Sequence, residues 1–369
     1  MQVFVGKISA LLNPVTYVII NIAVVAVIWV GAEQADSGII TQGKVIALVN
    51  YMSQILVELI KMANLIIIIS KAVACMNRVD SIFKVESSIE DKGRHGSRKP
   101  GSQNSGSQNP GPQNPALRIP KVEFKDMEFV YAGAKEPALK DISFCAMAGQ
   151  TIGVIGGTGS GKSTLVNLIP RFYDAASGQV LVDGTDVKEY SLDELRDKTG
   201  VVPQKSVLFK GTLRDNMRWG KQDASDEEIY RALDTAQARE FVDSKGEGLD
   251  LYIDQGGHNL SGGQRQRLTI ARALVRRPEI LIMDDSASAL DFATDASLRK
   301  AIRENTGDMT VFIVSQRATT IKSADTILVL DEGRLAGMGT HKELLKDCQV
   351  YREICLSQLS KEEVERDEQ

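Results

Sequence analysis

The sequence predicts an α/β domain of the phosphate-loop (P-loop) type, preceded by an all-α transmembrane helical hairpin. The domain should hold a mainly parallel sheet with antiparallel β and α-helical subdomains. Three observations carry this. The stretch Gly156–Thr164 reads GGTGSGKST and fits G-x-x-x-x-G-K-[ST] from Gly156 to Ser163, between a strand-like run Thr151–Ile155 and a helix-compatible run Thr164–Leu168. Continuous apolar runs at Thr151–Ile155, Ile280–Met283 and Thr310–Val314 read as strands buried on both faces. Two further apolar stretches, within residues 8–32 and 45–70, are each long enough to cross a bilayer as a helix.

Composition narrows the class. The 369 residues leave room for about two or three domains. With 44 basic and 48 acidic residues the net charge is −4, which gives no electrostatic footprint for a nucleic-acid partner. Cys75, Cys145, Cys348 and Cys355 lie far apart with no C-x-x-C, which argues against a disulfide framework or zinc site and suits a reducing cytosol.

In chain order, Ile8–Ala32 contains no charged side chain, and Pro14–Ala32 is mostly Val, Ile and Ala. This run exceeds a signal-peptide core and lacks a basic start, so a membrane helix over about 9–32 is expected. Gly31–Lys44 is a polar connection, and a second helix is expected over about 45–70. Glu58 and Lys61 interrupt it at i, i+3. Either they face a protein interior or a water-filled path, or residues 57–70 already lie outside the bilayer. Lys7, Lys71, Arg78 and Lys84 flank the pair, which places both ends in the cytoplasm and the 31–44 loop outside. The expectation is a multi-pass protein of the cell membrane, with residues 1–85 forming a partial transmembrane domain.

Residues 86–117 read as a linker. Gly101–Pro115 is three pentapeptides, GSQNS, GSQNP and GPQNP, with no aromatic or branched apolar side chain, so disorder is expected. The KGRHGSRK stretch before it is either a plain solvated linker or a segment that brushes anionic lipid headgroups.

Residues 118–359 form the expected soluble domain, followed by a charged tail over 360–369. Val122–Tyr131 and Asp141–Met147 alternate like antiparallel strands, and Thr326–Leu330 followed by Glu332-Gly333 reads as a strand entering a hairpin. Ser225 with Glu228 and Thr340 with Glu343 are capping boxes that mark helix starts, and the helix-rich stretch 222–277 reads as a subdomain.

The loop chemistry points to a nucleoside triphosphate. The backbone N–H groups of Gly156, Gly157, Thr158, Gly159, Ser160, Gly161, Lys162, Ser163 and Thr164 can wrap β- and γ-phosphates at a helix N-terminus. Lys162 adds a point charge, and the Ser163 hydroxyl can ligate Mg²⁺.

Leu260–Gln264 reads LSGGQ, followed by RQRLTIARALVRRP and the buried strand ILIMDD. With these motifs in this order, residues 120–358 resemble the nucleotide-binding domain of ABC transporters, and residues 8–85 resemble the last two transmembrane helices of a bacterial multidrug-type exporter half. The resemblance implies ATP and Mg²⁺ as ligands and a role for each matching residue. Tyr131 would stack on adenine. Gln204, in VVPQ, would contact Mg²⁺ and sense the membrane domain. Asp284 would hold Mg²⁺ through water. Asp291, in SALD, would lie in the loop that meets the partner across a dimer. Ser261, Gly262, Gly263 and Gln264 would face the γ-phosphate held by the partner's nucleotide domain.

The sequence departs from that family at three positions. Asp285 stands where the catalytic Glu is usual, which shortens the reach to the attacking water by about 1 Å, and a misplacement of that order costs ~10²-fold. Gln316, in IVSQR, stands where the switch His is usual and cannot carry a proton's charge beside the γ-phosphate. Gln255 replaces a Glu usual before the signature. With Lys162 intact, this pattern resembles the degenerate-site subunit of heterodimeric exporters, with weak hydrolysis at its own site and an intact signature serving a second exporter half. An exporter half carries six membrane helices and this chain begins at what looks like the fifth, so it resembles an N-terminally truncated half, with Met1 either a true start, the start of a truncated gene or the edge of a fragment. The alternative is a non-transporting nucleotide-binding fragment or regulatory scaffold. The transported substrate is not legible.

Overall fold

The structure is a computed structural model that describes residues 2–85, 89, 119–286 and 290–368. The linker expected over 86–117 lies outside the described residues, apart from Ile89. Two compact units emerge, one up to Ser88 and one from Ile89 onward.

The first unit is a helical hairpin of α1 (Gln2–Asp36) and α2 (Gln42–Phe83). Both helices are long and apolar enough to cross a membrane, over Pro14–Asp36 and Gln42–Phe83. Gly31 lets them approach closely, because a β-carbon there would lie 2.6 Å from Val45 Cγ1. Ile22, Val25, Trp29, Ile55 and Leu65 point outward, a surface suited to lipid and costly in water. At 42 residues α2 spans about 63 Å, roughly twice the hydrocarbon core of a bilayer, so an upright crossing would leave about half of it outside that core. Glu58 and Lys61 pair at 2.8 Å, as their spacing predicts.

The second unit contains two main sheets. An antiparallel sheet has the order β2–β1–β4–β5, from β1 (Val122–Phe129), β2 (Leu139–Ala146), β4 (Ser177–Val182) and β5 (Thr185–Asp186). The larger sheet contains β3 (Thr151–Gly156), β6 (Thr199–Val202), β9 (Ile280–Asp284), β10 (Thr310–Val314), β11 (Thr326–Asp331) and β12 (Arg334–Gly339). Its order is β12–β11–β3–β10–β9–β6, parallel except for the β11–β12 hairpin. The two-residue strands β7 (Gly211–Thr212) and β8 (Tyr252–Ile253) pair separately.

The continuous apolar strands are buried on both faces, and their two-residue period assigns each side chain to one of two cores. Ile152, Val154, Ile280, Ile282, Phe312, Val314, Leu328 and Leu330 face the antiparallel sheet. There Phe124 stacks on Phe144 at 4.6 Å, and Phe144 meets Phe312 edge-on at 6.5 Å. Leu281, Met283, Val311, Ile313, Ile327 and Val329 face the other way, into a core shared with the helices. Those helices include α6 (Asp226–Thr235), α7 (Arg239–Ser244), α8 (Gly262–Leu274), α9 (Phe292–Asn305), α11 (His341–Asp347) and α12 (Gln349–Leu356). Ser225 and Thr340 cap α6 and α11 through boxes closed by Glu228 and Glu343. The residues expected as a charged tail instead form α13 (Lys361–Glu368), docked through the buried Val364.

An ion network ties the two sheets together. Lys121, just before β1, reaches Asp183 at 2.7 Å and also pairs with Glu279, just before β9. Lys198, the last residue of α4 (Leu192–Lys198), reaches Asp183 at 2.9 Å and Glu279 at 3.4 Å. Asp183 sits in the left-handed turn between β4 and β5 (φ 50°), followed by Gly184 (φ 77°). Burial alone would raise its pKa, but the hydrogen bonds from Lys121 and Lys198 outweigh that and hold it below the ordinary carboxylate range. A depressed folded-state pKa contributes stability above the unfolded value, and that stability is lost as pH falls through the folded value. Asp183→Asn keeps the left-handed turn and should cost about 1 kcal/mol at pH 7 after solvent screening. The gap from the parent should close as the pH drops below 3.8, the ordinary Asp value, and through the depressed folded value. Thermal unfolding at pH 7 and at pH 3 measures both; a pH-independent gap would show that the charge of Asp183 contributes nothing.

Candidate functional site

The parallel register brings the ends of β3, β6, β9 and β10 to one edge of the sheet, and the loops that follow them meet around an open cleft of about 400 Å³. Its walls include Tyr131, Thr158, Gly159, Gly161, Lys162, Ser163, Thr164, Gln204, Asp284, Asp285 and Gln316. These residues come from segments up to 185 positions apart in the chain, between Tyr131 and Gln316.

The loop itself leaves β3 at Gly156, which pairs with Leu330 of β11. A β-carbon at Gly156 would collide with the Leu330 carbonyl oxygen, so only glycine allows this exit. The loop closes at Gly161, left-handed at φ 97°, where a β-carbon would sit 2.6 Å from Leu139 Cδ2. The helix α3 (Lys162–Asn167) starts immediately after it. Lys162 is 8% exposed, and its Nζ donates to the carbonyls of Gly156 at 2.9 Å and Gly157 at 2.6 Å. Burial lowers its pKa, against the pull of the Asp285 and Asp284 carboxylates. An ammonium poised over the loop in this way can turn to phosphate oxygens with little rearrangement.

Asp284 ends β9, and its Oδ1 accepts a hydrogen bond from Ser163 Oγ at 2.9 Å. Burial pushes its carboxyl up. The Ser163 hydrogen bond and the Lys162 charge oppose that rise, and the neighbouring Asp285 adds to it. A hydroxyl beside an under-compensated carboxylate is an oxygen donor set that fits Mg²⁺. Among the described residues no three His, Cys, Asp or Glu side chains cluster into a metal cage. A hard cation here would take the Ser163 hydroxyl and the Asp284 carboxylate as protein oxygen ligands.

Asp285 lies in the left-handed region (φ 45°), which Asp tolerates better than most residues. Its N–H donates to Val314 O at 2.9 Å, and its Oδ2 accepts from Gln204 Nε2 at 3.3 Å. Gln316 stands exposed on the loop after β10 and also lines the cleft. Tyr131 lies just past β1. Its hydroxyl meets Thr164 Oγ1 at 2.8 Å and its ring packs edge-on against Phe129 and Tyr173.

Ser261, Gly262, Gly263 and Gln264 do not line this cleft; they open α8. Ser261 caps the helix by accepting from Gln264 N at 3.3 Å, while its own N–H donates to Gln264 Oε1 at 3.0 Å. This capping box was legible as S-x-x-Q and passed unnoticed at the sequence level. Arg265 Nη1 braces the preceding turn through the carbonyls of Leu260 at 2.6 Å and Gly257 at 3.3 Å. Gln255, exposed, opens the short turn before them. Asp291 is likewise away from the cleft and serves as N-cap of α9, accepting from Thr294 N at 2.9 Å. Residues 287–289, just before it, lie outside the described residues. Sequence reasoning also missed Ser315, a buried wall of the cleft whose N–H donates to Val154 O at 3.0 Å; an ordinary strand-end serine gives no signal.

Comparison with known proteins finds similarity to ABC transporters. The family profile described as "ABC transporter" matches residues 139–288. An uncharacterized ABC transporter ATP-binding protein of Mycobacterium tuberculosis (strain H37Rv) is 40% identical over 356 residues, covering 96% of this chain and 58% of that protein. An ATP-dependent lipid A-core flippase of Photobacterium profundum is 34% identical over 347 residues, covering 94% of this chain and 56% of the flippase. The solved structure of a bacterial Atm1-family ABC exporter with ATP bound superposes with a TM-score of 0.66 at 32% identity, covering 86% of this chain and 53% of that one. The chain thus spans somewhat more than half the length of these relatives.

The geometry predicts separable effects at the loop. Lys162→Ala should weaken binding of a fluorescent ATP analogue at least about tenfold, equivalent to ~1.4 kcal/mol, with little change in melting temperature. Gly156→Ala should abolish binding and lower the melting temperature as well, because the β3–β11 pairing must yield. Undiminished binding by Lys162→Ala would refute the phosphate assignment.

Proposed function

Because residues 139–288 are an ABC transporter domain, which binds nucleotide, in a chain with the fold of an ABC exporter, we propose that this protein is the ATP-binding subunit of an exporter. It would couple ATP binding and hydrolysis to export of a substrate across the cell membrane. The site residues then take these roles. Backbone N–H groups from Gly157 to Thr164 cradle the phosphates, Lys162 neutralises their charge, and Tyr131 turns from Thr164 to stack on the base. Ser163, Asp284 and Gln204 hold Mg²⁺, which when bound offsets the charge that builds on the transferring phosphoryl group.

The observation that carries the finer reading is that Asp285 and Gln316 line the same cleft as Lys162. Both positions that handle the attacking water and the γ-phosphate thus depart from the family, while the phosphate loop does not. Asp285 has a shorter reach, and its carboxylate is engaged by Gln204. Gln316 offers hydrogen bonds without a transferable charge. The chain would hold ATP and turn it over slowly. The start of α8, away from the cleft, would complete the ATP site of a second, different exporter half in a head-to-tail pair. The two apolar helices would cross the lipid bilayer, with the nucleotide domain cytoplasmic.

The test is steady-state ATP hydrolysis by the full chain against the Asp285→Glu, Gln316→His double variant at equal nucleotide occupancy. The parent should bind ATP and turn over at least about tenfold more slowly than the double variant. Brisk parental turnover that the double variant does not raise would reject the degenerate site and favour a homodimeric ATPase.

A further inference from the structure

The C-terminal helices grip the loop that carries Gln316. Gln358, just past α12, donates from Nε2 to the backbone carbonyl of Gln316 at 2.7 Å and accepts at Oε1 from the N–H of Ala318 at 2.9 Å. A carboxamide presents donor and acceptor in one plane, as a peptide group does, so it pairs with the carbonyl of one residue and the N–H two positions on as a neighbouring strand would. Ala318 opens α10 (Ala318–Ile321), and Lys322, directly after α10, pairs with Asp367 of α13. The four-residue helix is therefore held at both ends by the chain's C-terminal segment.

The grip is rigid because its base is buried. Tyr351 and Cys355 of α12 are fully enclosed, and the Tyr351 hydroxyl meets His341 Nδ1 at 2.7 Å. Gln358 and Leu359 are tied back to Cys355 O at 3.0 and 2.8 Å, and Val364 anchors α13. On the other side, β3 holds the start of the same loop through the Ser315 N–H bond to Val154. Gln316 stands between these two fixed points.

We propose that Gln358 is a positioning residue for Gln316, so that the C-terminal helices set the geometry of the hydrolytic site. This rests on the reading of Gln316 as part of that site. The side chain of Gln316 points from a backbone whose carbonyl Gln358 fixes, and a shift of about 1 Å at such a group is enough to slow the chemistry.

A double-mutant cycle on the full chain tests it, read as the single-turnover rate of ATP hydrolysis, the affinity for a fluorescent ATP analogue, and hydrogen exchange at Ala318. Gln358→Ala should slow the single-turnover rate about tenfold, leave affinity within about twofold, and speed exchange at Ala318. In a Gln316→Ala background, Gln358→Ala should change the rate no further, because its only route to the chemistry is gone. Gln358→Glu keeps the acceptor for Ala318 and loses the donor to Gln316, so it should slow the rate while Ala318 stays protected; it also covers a failure of the alanine variant to fold. An equal loss of rate in both backgrounds, or faster exchange with no loss of rate, would overturn the proposal. If Gln316→Ala alone leaves the rate unchanged, the reading of Gln316 itself falls and the proposal with it.

Discussion

The site depends on β3 lying at the centre of a parallel sheet and buried on both faces. Parallel pairing with β10 and β11 puts the carboxyl ends of neighbouring strands on one edge, where the loops that follow must converge. Slipping β3 by one residue would exchange its two core faces. A slip that brings Ile155 into the place of Gly156 would also put a β-carbon against the carbonyl of Leu330. Phe312 on β10 meets Phe144, which stacks on Phe124, so these rings bridge the two sheets.

Electrostatics then shape the cleft. Backbone geometry brings Asp284 and Lys162 together in a buried site, and the cost shows in the direction of the shifts of these two groups. Burial raises Asp284 and lowers Lys162, so each charged form is disfavoured. A cation beside Asp284 and phosphates beside Lys162 would relieve both penalties together. Lys162 donates to the loop carbonyls of Gly156 and Gly157, and Ser163 to Asp284, which ties the loop to the end of β9.

Helix caps fix two of the residues singled out by the resemblance. Ser261 and Asp291 both satisfy orphan N–H groups at helix starts, yet both are the residues that family resemblance assigns to contacts with a partner. Capping holds them in fixed positions at the surface, and such rigidity is what a site shared between two chains would need. The same economy appears at the C-terminus, where α12 and α13 close the second core and also hold the loop of Gln316.

The sequence by itself determined the elements whose information is local. The phosphate loop, the buried strands, the capping boxes at Ser225 and Thr340, the β11–β12 hairpin and the apolar hairpin of α1 and α2 were legible because their residues are neighbours along the chain or repeat with its period. The signature motif made the resemblance to ABC transporters legible. Local pattern could not show which side chains satisfy one another across the sheet. Only the tertiary structure decided that Gln204 meets Asp285, that Tyr131 rests on Thr164, that Lys121 and Lys198 each pair with both Asp183 and Glu279, and that the charged C-terminal tail forms a docked helix. Gln358 shows the reason most clearly. Its carboxamide reads as an ordinary surface glutamine until the burial of Tyr351 and Cys355 swings α12 against the sheet and places it on a backbone 42 residues away.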